Sequence, residues 1–157
     1  RYADLVSERL WKPLGAEQNA GITVDVSGFT LASGGMFASL RDAARIGQLI
    51  LNKGRVGGTQ VIPETWINDL LTQQGDGKLL PLGDESVAPY YRSFIWGIGD
   101  GKGTALARGV HGQFIYISPS TGVVIAMYST WPNADGGAPR VGFDNAFKLL
   151  ESIKNSI

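Results

Sequence analysis

Apolar residues recur along this chain in two ways, at three- to four-residue spacing and in short runs broken by glycine and proline, and each marks a different region. In the first third, Leu5, Val6 and Leu10 fall on one side of a helix expected over 2–11, which stops at Lys12-Pro13-Leu14-Gly15. Residues 16–35 are irregular and rich in glycine. The clearest helix start follows, where Ser39-Leu40-Arg41-Asp42 has the spacing of a capping box with Asp in place of Glu. Ala43, Ile46, Leu49 and Ile50 make its apolar stripe, and Asn52-Lys53-Gly54 ends it with a cation and a glycine. A Gly57-Gly58 turn leads to Val61-Ile62, and Pro63 opens a third helix whose buried face is expected from Trp66, Ile67, Leu70 and Leu71.

The spacing changes after a polar stretch over 72–93, which is too long for an ordinary connection and reads either as a mobile surface loop or as a lid. β-Branched and aromatic runs over 94–98, 104–110, 113–117 and 123–129 read as strands. Gly99-Asp100-Gly101-Lys102-Gly103 and Ser118-Pro119-Ser120-Thr121-Gly122 supply turns between them. After a further Gly-Gly pair, Phe143, Phe147, Leu150 and Ile153 return to helical spacing over 141–153, with Ala146 and Leu149 widening the face. The expected fold class is α+β, an antiparallel meander with helices laid on one face.

The totals narrow the function classes. With 157 residues the chain has the size of one domain. Fourteen basic residues balance fourteen acidic ones, so no charge field and no basic run points to nucleic acid or an anionic membrane. No apolar stretch approaches the ~20 residues that a membrane span requires. Without cysteine there is no disulfide, thiolate metal site or cysteine nucleophile, and nothing separates a bacterial cytoplasmic location from an exported one. The opening Arg1-Tyr2-Ala3-Asp4 enters an amphipathic pattern directly, and the chain is expected to be cut from something longer.

Candidate chemistry gathers around the only histidine, in Arg108-Gly109-Val110-His111-Gly112-Gln113-Phe114, expected on a sheet strand. His111 can donate to a substrate or oxyanion, or hydrogen-bond a loop carbonyl. Gly112 either lets a ligand approach or marks a bulge, and Gln113 either offers its amide to a substrate or faces water. Trp96, Trp131, Tyr90 and Tyr91 read as pocket wall or as core, and Asp42 and Asp144 as helix-surface carboxylates. No Gly-x-Ser-x-Gly elbow, Ser-x-x-Lys, Tyr-x-Asn, phosphate loop, dinucleotide fingerprint or EF-hand is written here. One histidine and no cysteine leave only converging carboxylates for a metal, and neither metal nor cofactor is expected.

Together, Leu10-Trp11-Lys12-Pro13-Leu14-Gly15-Ala16, Gly34-Gly35-Met36-Phe37-Ala38-Ser39-Leu40-Arg41-Asp42 and the His-Gly-Gln strand resemble the C-terminal portion of a penicillin-recognising serine hydrolase. The resemblance is to the class C β-lactamase and carboxylesterase type, and within it to the 6-aminohexanoate-dimer hydrolase branch. It implies a β-lactamase/transpeptidase-like α+β fold, an antiparallel sheet flanked by helices, incomplete in this chain. Residues 1–90 would be the later part of a helical insert with a long loop, and 91–157 the strands and terminal helix. In that family a Ser-x-x-Lys serine attacks a carbonyl and the Tyr of Tyr-x-Asn moves protons, both encoded upstream of the Pro-Leu-Gly turn. The strand that usually reads Lys-Thr-Gly corresponds here to His111, Gly112 and Gln113, expected to bind substrate, with the backbone N–H of Phe114 completing the oxyanion hole. His in place of Lys turns the expectation from a β-lactam carboxylate toward a short neutral or zwitterionic amide or ester. The expected partners are that small molecule and the missing N-terminal segment of the same protein. A non-catalytic binding or structural module of the same fold is the alternative.

Overall fold

A computed structural model of the chain describes residues 1–72, 90–134 and 141–157. Helix α1 (Tyr2–Val6) runs on into a π-helical turn, Ser7–Trp11, so one helical segment covers the expected 2–11. Its end carries Trp11 and Leu14 into a small core with Leu49. The irregular stretch that follows holds a minimal antiparallel pair, β1 (Gly21–Ile22) with β2 (Met36–Phe37), too short to leave a period in the sequence.

Helix α2 (Leu40–Leu51) begins where the cap was expected, with the Ser39 side chain accepting from the Asp42 N–H. β3 (Arg55–Val56) and β4 (Thr59–Gln60) form a tight hairpin about Gly57-Gly58. Helix α3 (Glu64–Leu71) then departs from expectation in two ways. Pro63 stands at the cap rather than in the first turn, its carbonyl accepting from Trp66 and Ile67. Trp66 points outward, leaving Ile67 and Leu70 as the buried face.

β5 (Tyr90–Arg92), β6 (Ile95–Gly97), β7 (Ala105–Gly109), β8 (Gln113–Ser118) and β9 (Val123–Met127) make one antiparallel sheet in that order. The meander is therefore as expected, with β5 added from the end of the stretch read as loop. The question of loop or lid over 73–89, and the Gly136-Gly137 pair, lie outside the described residues.

Helices cover both faces of the sheet, not one. Leu106, Phe114 and Tyr116 pack against Phe143, Ala146 and Leu150 of α4 (Val141–Asn155). On the other side Ile117 packs with Ile50 of α2 and with Ile67 and Leu70 of α3. The reason is legible in β8 itself, where Phe114-Ile115-Tyr116-Ile117 is apolar at every position, so alternate side chains need a cover on each side. α4 meets the sheet through a narrower stripe than expected, with Leu149 exposed. α2 lies close because Gly47 faces Val124 and Ile115, where an added Cβ would come within 2.6 and 2.7 Å of their methyls.

Candidate functional site

Asp42, expected as a surface carboxylate, is completely buried. Its oxygens accept the Glu17 N–H at 2.9 Å, the Gln18 N–H at 3.1 Å, the Ser39 hydroxyl at 2.8 Å and the Arg45 guanidinium at 2.9 Å. Half of the capping box is therefore present, while the carboxylate joins Ser39 and Arg45 of its own helix to the chain after the Pro-Leu-Gly turn. Arg45 also grips Glu17, and Trp11 Nε1 donates to the Gln18 carbonyl at 2.7 Å. The Glu17 N–H, ahead of the other donors, holds the Asp42 carboxyl below the usual carboxylate range. The network fixes the start of α2, and with it Ala43, against the sheet. The spacing of Asp42 and Arg45 was the available signal, but sequence alone does not say that a carboxylate goes inside.

His111 is on a turn, not on a strand. β7 and β8 close at Gly109↔Gln113, and Val110, His111 and Gly112 form the connection between them. His111 and Gly112 both have left-handed backbone, φ +58° and +85°. The His111 N–H donates to Ala134 O at 2.8 Å, its carbonyl accepts from the Trp131 N–H at 3.2 Å, and its Nδ1 lies 2.8 Å from Trp131 O. Gln113 Nε2 donates to the carbonyls of Ser129 at 2.6 Å and His111 at 3.2 Å. The space beside Gly112 is filled by Trp131 and Ser129. His111, Gly112 and Gln113 are thus brought together, and each of them meets the 129–134 segment.

Strand geometry decides which main-chain groups face outward. The Ile98 N–H donates to Thr104 O, so Thr104 turns its main chain to β6, and alternation turns Ala105, Ala107 and Gly109 to β8. Across each planar peptide the N–H points opposite to the preceding C=O. The Val110 N–H therefore points away from β8. There the β6–β7 ladder has already ended, at Trp96↔Leu106, because β6 begins only at Ile95. By the same rule the Phe114 N–H points to β9, opposite Met127. Phe114 itself is buried, its ring 5.8 Å from Trp131 and 5.9 Å from Phe143.

A groove of about 250 Å³ opens beside this edge of β7, on the face covered by α2. Ala43, Phe94, Ala107, Gly109, Gln113, Ile115 and Tyr128 line it, together with the main chain of Arg108 and Phe114. The aromatics singled out from the sequence are elsewhere. Trp96 and Trp131 pack on the core beneath α4, with Tyr91 4.5 Å from Trp96. Phe94 and Tyr128, which had no distinguishing signal, are the aromatics at the groove. Among the described residues no cluster of three or more His, Cys, Asp or Glu is placed to hold a metal, and no helix is long and apolar enough to cross a membrane.

No family model matches the chain. It is 35% identical over 138 residues to a 6-aminohexanoate-dimer hydrolase of Paenarthrobacter ureafaciens, covering 86% of this chain and 35% of that protein. The chain thus spans about a third of that relative's length. Among solved structures, a Bacillus anthracis protein provisionally described as a 6-aminohexanoate-dimer hydrolase superposes with a TM-score of 0.74 at 29% identity, covering 97% of this chain and 38% of the other. A Bacteroides dorei protein provisionally described as a β-lactamase superposes at 0.67 over 97% of this chain and 51% of its own, and at 20% identity it speaks for the fold alone. The chain is a homologue of 6-aminohexanoate-dimer hydrolase and carries the β-lactamase-like fold of these hydrolases.

Proposed function

We infer that this chain is the C-terminal part of a serine hydrolase cleaving a short amide or ester, and that it supplies the wall along which the substrate lies. One observation carries the reading. At Gly109-Val110 the sheet leaves an N–H directed out of the β7–β8 ladder, beside a groove floored by the small side chains of Ala43 and Ala107. A main-chain donor fixed at the end of a strand is what a developing oxyanion requires, because it needs no reorganisation as charge appears. On this reading the strand-side donor moves from Phe114, whose N–H faces β9, to Val110. His111 and Gly112 hold that edge in place through the 129–134 segment, and Gln113, tied to the same segment by Ser129, forms part of the groove wall.

The nucleophile and the proton-transfer tyrosine would come from the N-terminal segment of the same polypeptide. Exposed Phe29 and Phe37, and the open cavity of about 800 Å³ between α1 and residues 24–32, support such a partner. The test compares hydrolysis of a chromogenic short-chain ester by the purified 157-residue chain and by the polypeptide that includes a Ser-x-x-Lys and Tyr-x-Asn segment. Turnover is expected only from the second. Turnover by the first, or by neither, would overturn the reading.

A further inference from the structure

The groove beside β7 is bounded by two aromatic side chains that the core does not use. Phe94 sits with Ser93 in the two-residue turn joining Arg92 to Ile95, and both have left-handed backbone, φ +66° and +49°. That conformation suits the twist of a tight hairpin, but residues there are usually Gly, Asn or Asp. An aromatic residue in it is strained, and this one is also 64% exposed, so neither burial nor turn chemistry explains it. Tyr128 follows β9 on the far side of the groove, half-exposed, with its hydroxyl donating to the Ala38 carbonyl at 3.2 Å. That bond ties the ring to the start of α2. Between the two lie Ala107, whose methyl is too small to fill the space, and Gly109, with the Gln113 side chain packed beside it.

The groove's side chains also have a common charge state. Ala43, Phe94, Ala107, Gln113, Ile115 and Tyr128 are all uncharged at neutral pH. The guanidinium of Arg108 lies 4.4 Å over the Phe143 ring, on the α4 side of the sheet. Gln113 commits its amide N–H groups to Ser129 and His111. A charged substituent entering here would lose hydration and meet no counter-charge from these side chains, whereas an alkyl chain would exchange water for two rings and a floor of methyls.

We propose that Phe94 and Tyr128 are specificity-determining residues, gripping an uncharged aliphatic arm of the acyl substrate over Ala107 while its carbonyl reaches the Val110 N–H. The proposal rests on the hydrolase reading above and adds the substrate's chemistry. Phe94→Gly is the informative variant, because it removes the ring and relaxes the turn, so loss of fold does not confuse the result.

Two measurements separate this proposal from the function it builds on. In the first, N-butylhexanamide and hexanoate are titrated calorimetrically into the 157-residue chain and into Phe94→Gly. Binding of the neutral amide, weaker for the carboxylate and lost in the variant, is expected whether or not any catalysis occurs. Equal binding of the two probes, or equal binding by the variant, overturns the proposal. In the second, kcat/KM is compared across p-nitrophenyl acetate, butyrate, hexanoate and octanoate with the complete polypeptide. The octanoate-to-acetate ratio should fall about tenfold in Phe94→Gly, the scale of discrimination that apolar pocket contacts supply. An unchanged ratio overturns the proposal while leaving the hydrolase reading intact. Absence of hydrolysis by the unaltered polypeptide overturns the hydrolase reading, while amide binding at the groove would still stand.

Discussion

The Nδ1 of His111 donates to the carbonyl oxygen of Trp131 at 2.8 Å, and since a carbonyl only accepts, the proton lies on that nitrogen. Two main-chain bonds join the same residues to their surroundings, so the imidazole is the third tie between the β7–β8 turn and the segment that follows β9. His111→Ala removes the ring while keeping the left-handed backbone. The lost hydrogen bond and the poorer fit of Ala to that backbone should cost ~1–2 kcal/mol together. His111→Asn, which tolerates the left-handed region and carries an amide donor, should recover part of it. Urea unfolding of the three proteins measures this, and identical midpoints would show that the ring holds nothing.

Gly112→Ala should be the more damaging change at this turn. Its Cβ would stand 2.5 Å from Trp131 Cε2 and 2.8 Å from Ser129 Cβ, at a φ of +85°. Backbone strain and overlap together should cost ~3 kcal/mol. Gly122→Ala is the control, because Gly122 has a similar φ of +71° and nothing within 4 Å of the added carbon. It should lose only the conformational part, ~1 kcal/mol. Equal losses for the two variants would mean that Trp131 moves aside freely.

Those two residues also show where the sequence could be read and where it could not. Two apolar runs meeting at Ser118-Pro119-Ser120-Thr121-Gly122 announced the β8–β9 hairpin, because turn chemistry is local. The break between the strands over 104–110 and 113–117 is legible, but the placing of His111 in a turn rather than on a strand is not, since a histidine at positive φ has no compositional mark. The two-sided burial of β8 is written in its uninterrupted apolar run, which outweighs the one-sided cover expected of an antiparallel meander. Asp42 is legible as a cap partner, but not as a buried group. Its burial depends on Glu17 and Gln18, two dozen residues away, and no local pattern reports that. Phe94 and Tyr128 become neighbours of one groove only through the register of five strands.

Gly47→Ala tests how firmly α2 is seated on the sheet. In an exposed helix the substitution would stabilise by up to ~1 kcal/mol, because Ala loses less backbone freedom than Gly. Here the new methyl would meet Val124 and Ile115 at 2.6 and 2.7 Å, and overpacking of that kind typically costs ~1–3 kcal/mol. The overlap should win, lowering the thermal midpoint. A raised midpoint would show that α2 can lift from β8 and β9 without penalty.

Asp42→Asn addresses the buried junction and carries a pH signature. Donors led by the Glu17 N–H lower the Asp42 pKa in the folded chain relative to the unfolded one. A depressed carboxyl contributes stability that is fully present above its unfolded value, ~3.9, and is lost as pH falls through the lower folded value. The amide variant cannot satisfy four donors, because one of its oxygens is replaced by a group that itself donates. It should therefore melt lower than the parent at pH 7, with the gap closing as the solution is acidified below pH ~4. Glu17 and Asp25 are also held below their usual range, so some acid sensitivity should remain in the variant. Thermal melts from pH 7 to pH 2 measure both slopes, and parallel curves for the two proteins would contradict a lowered Asp42.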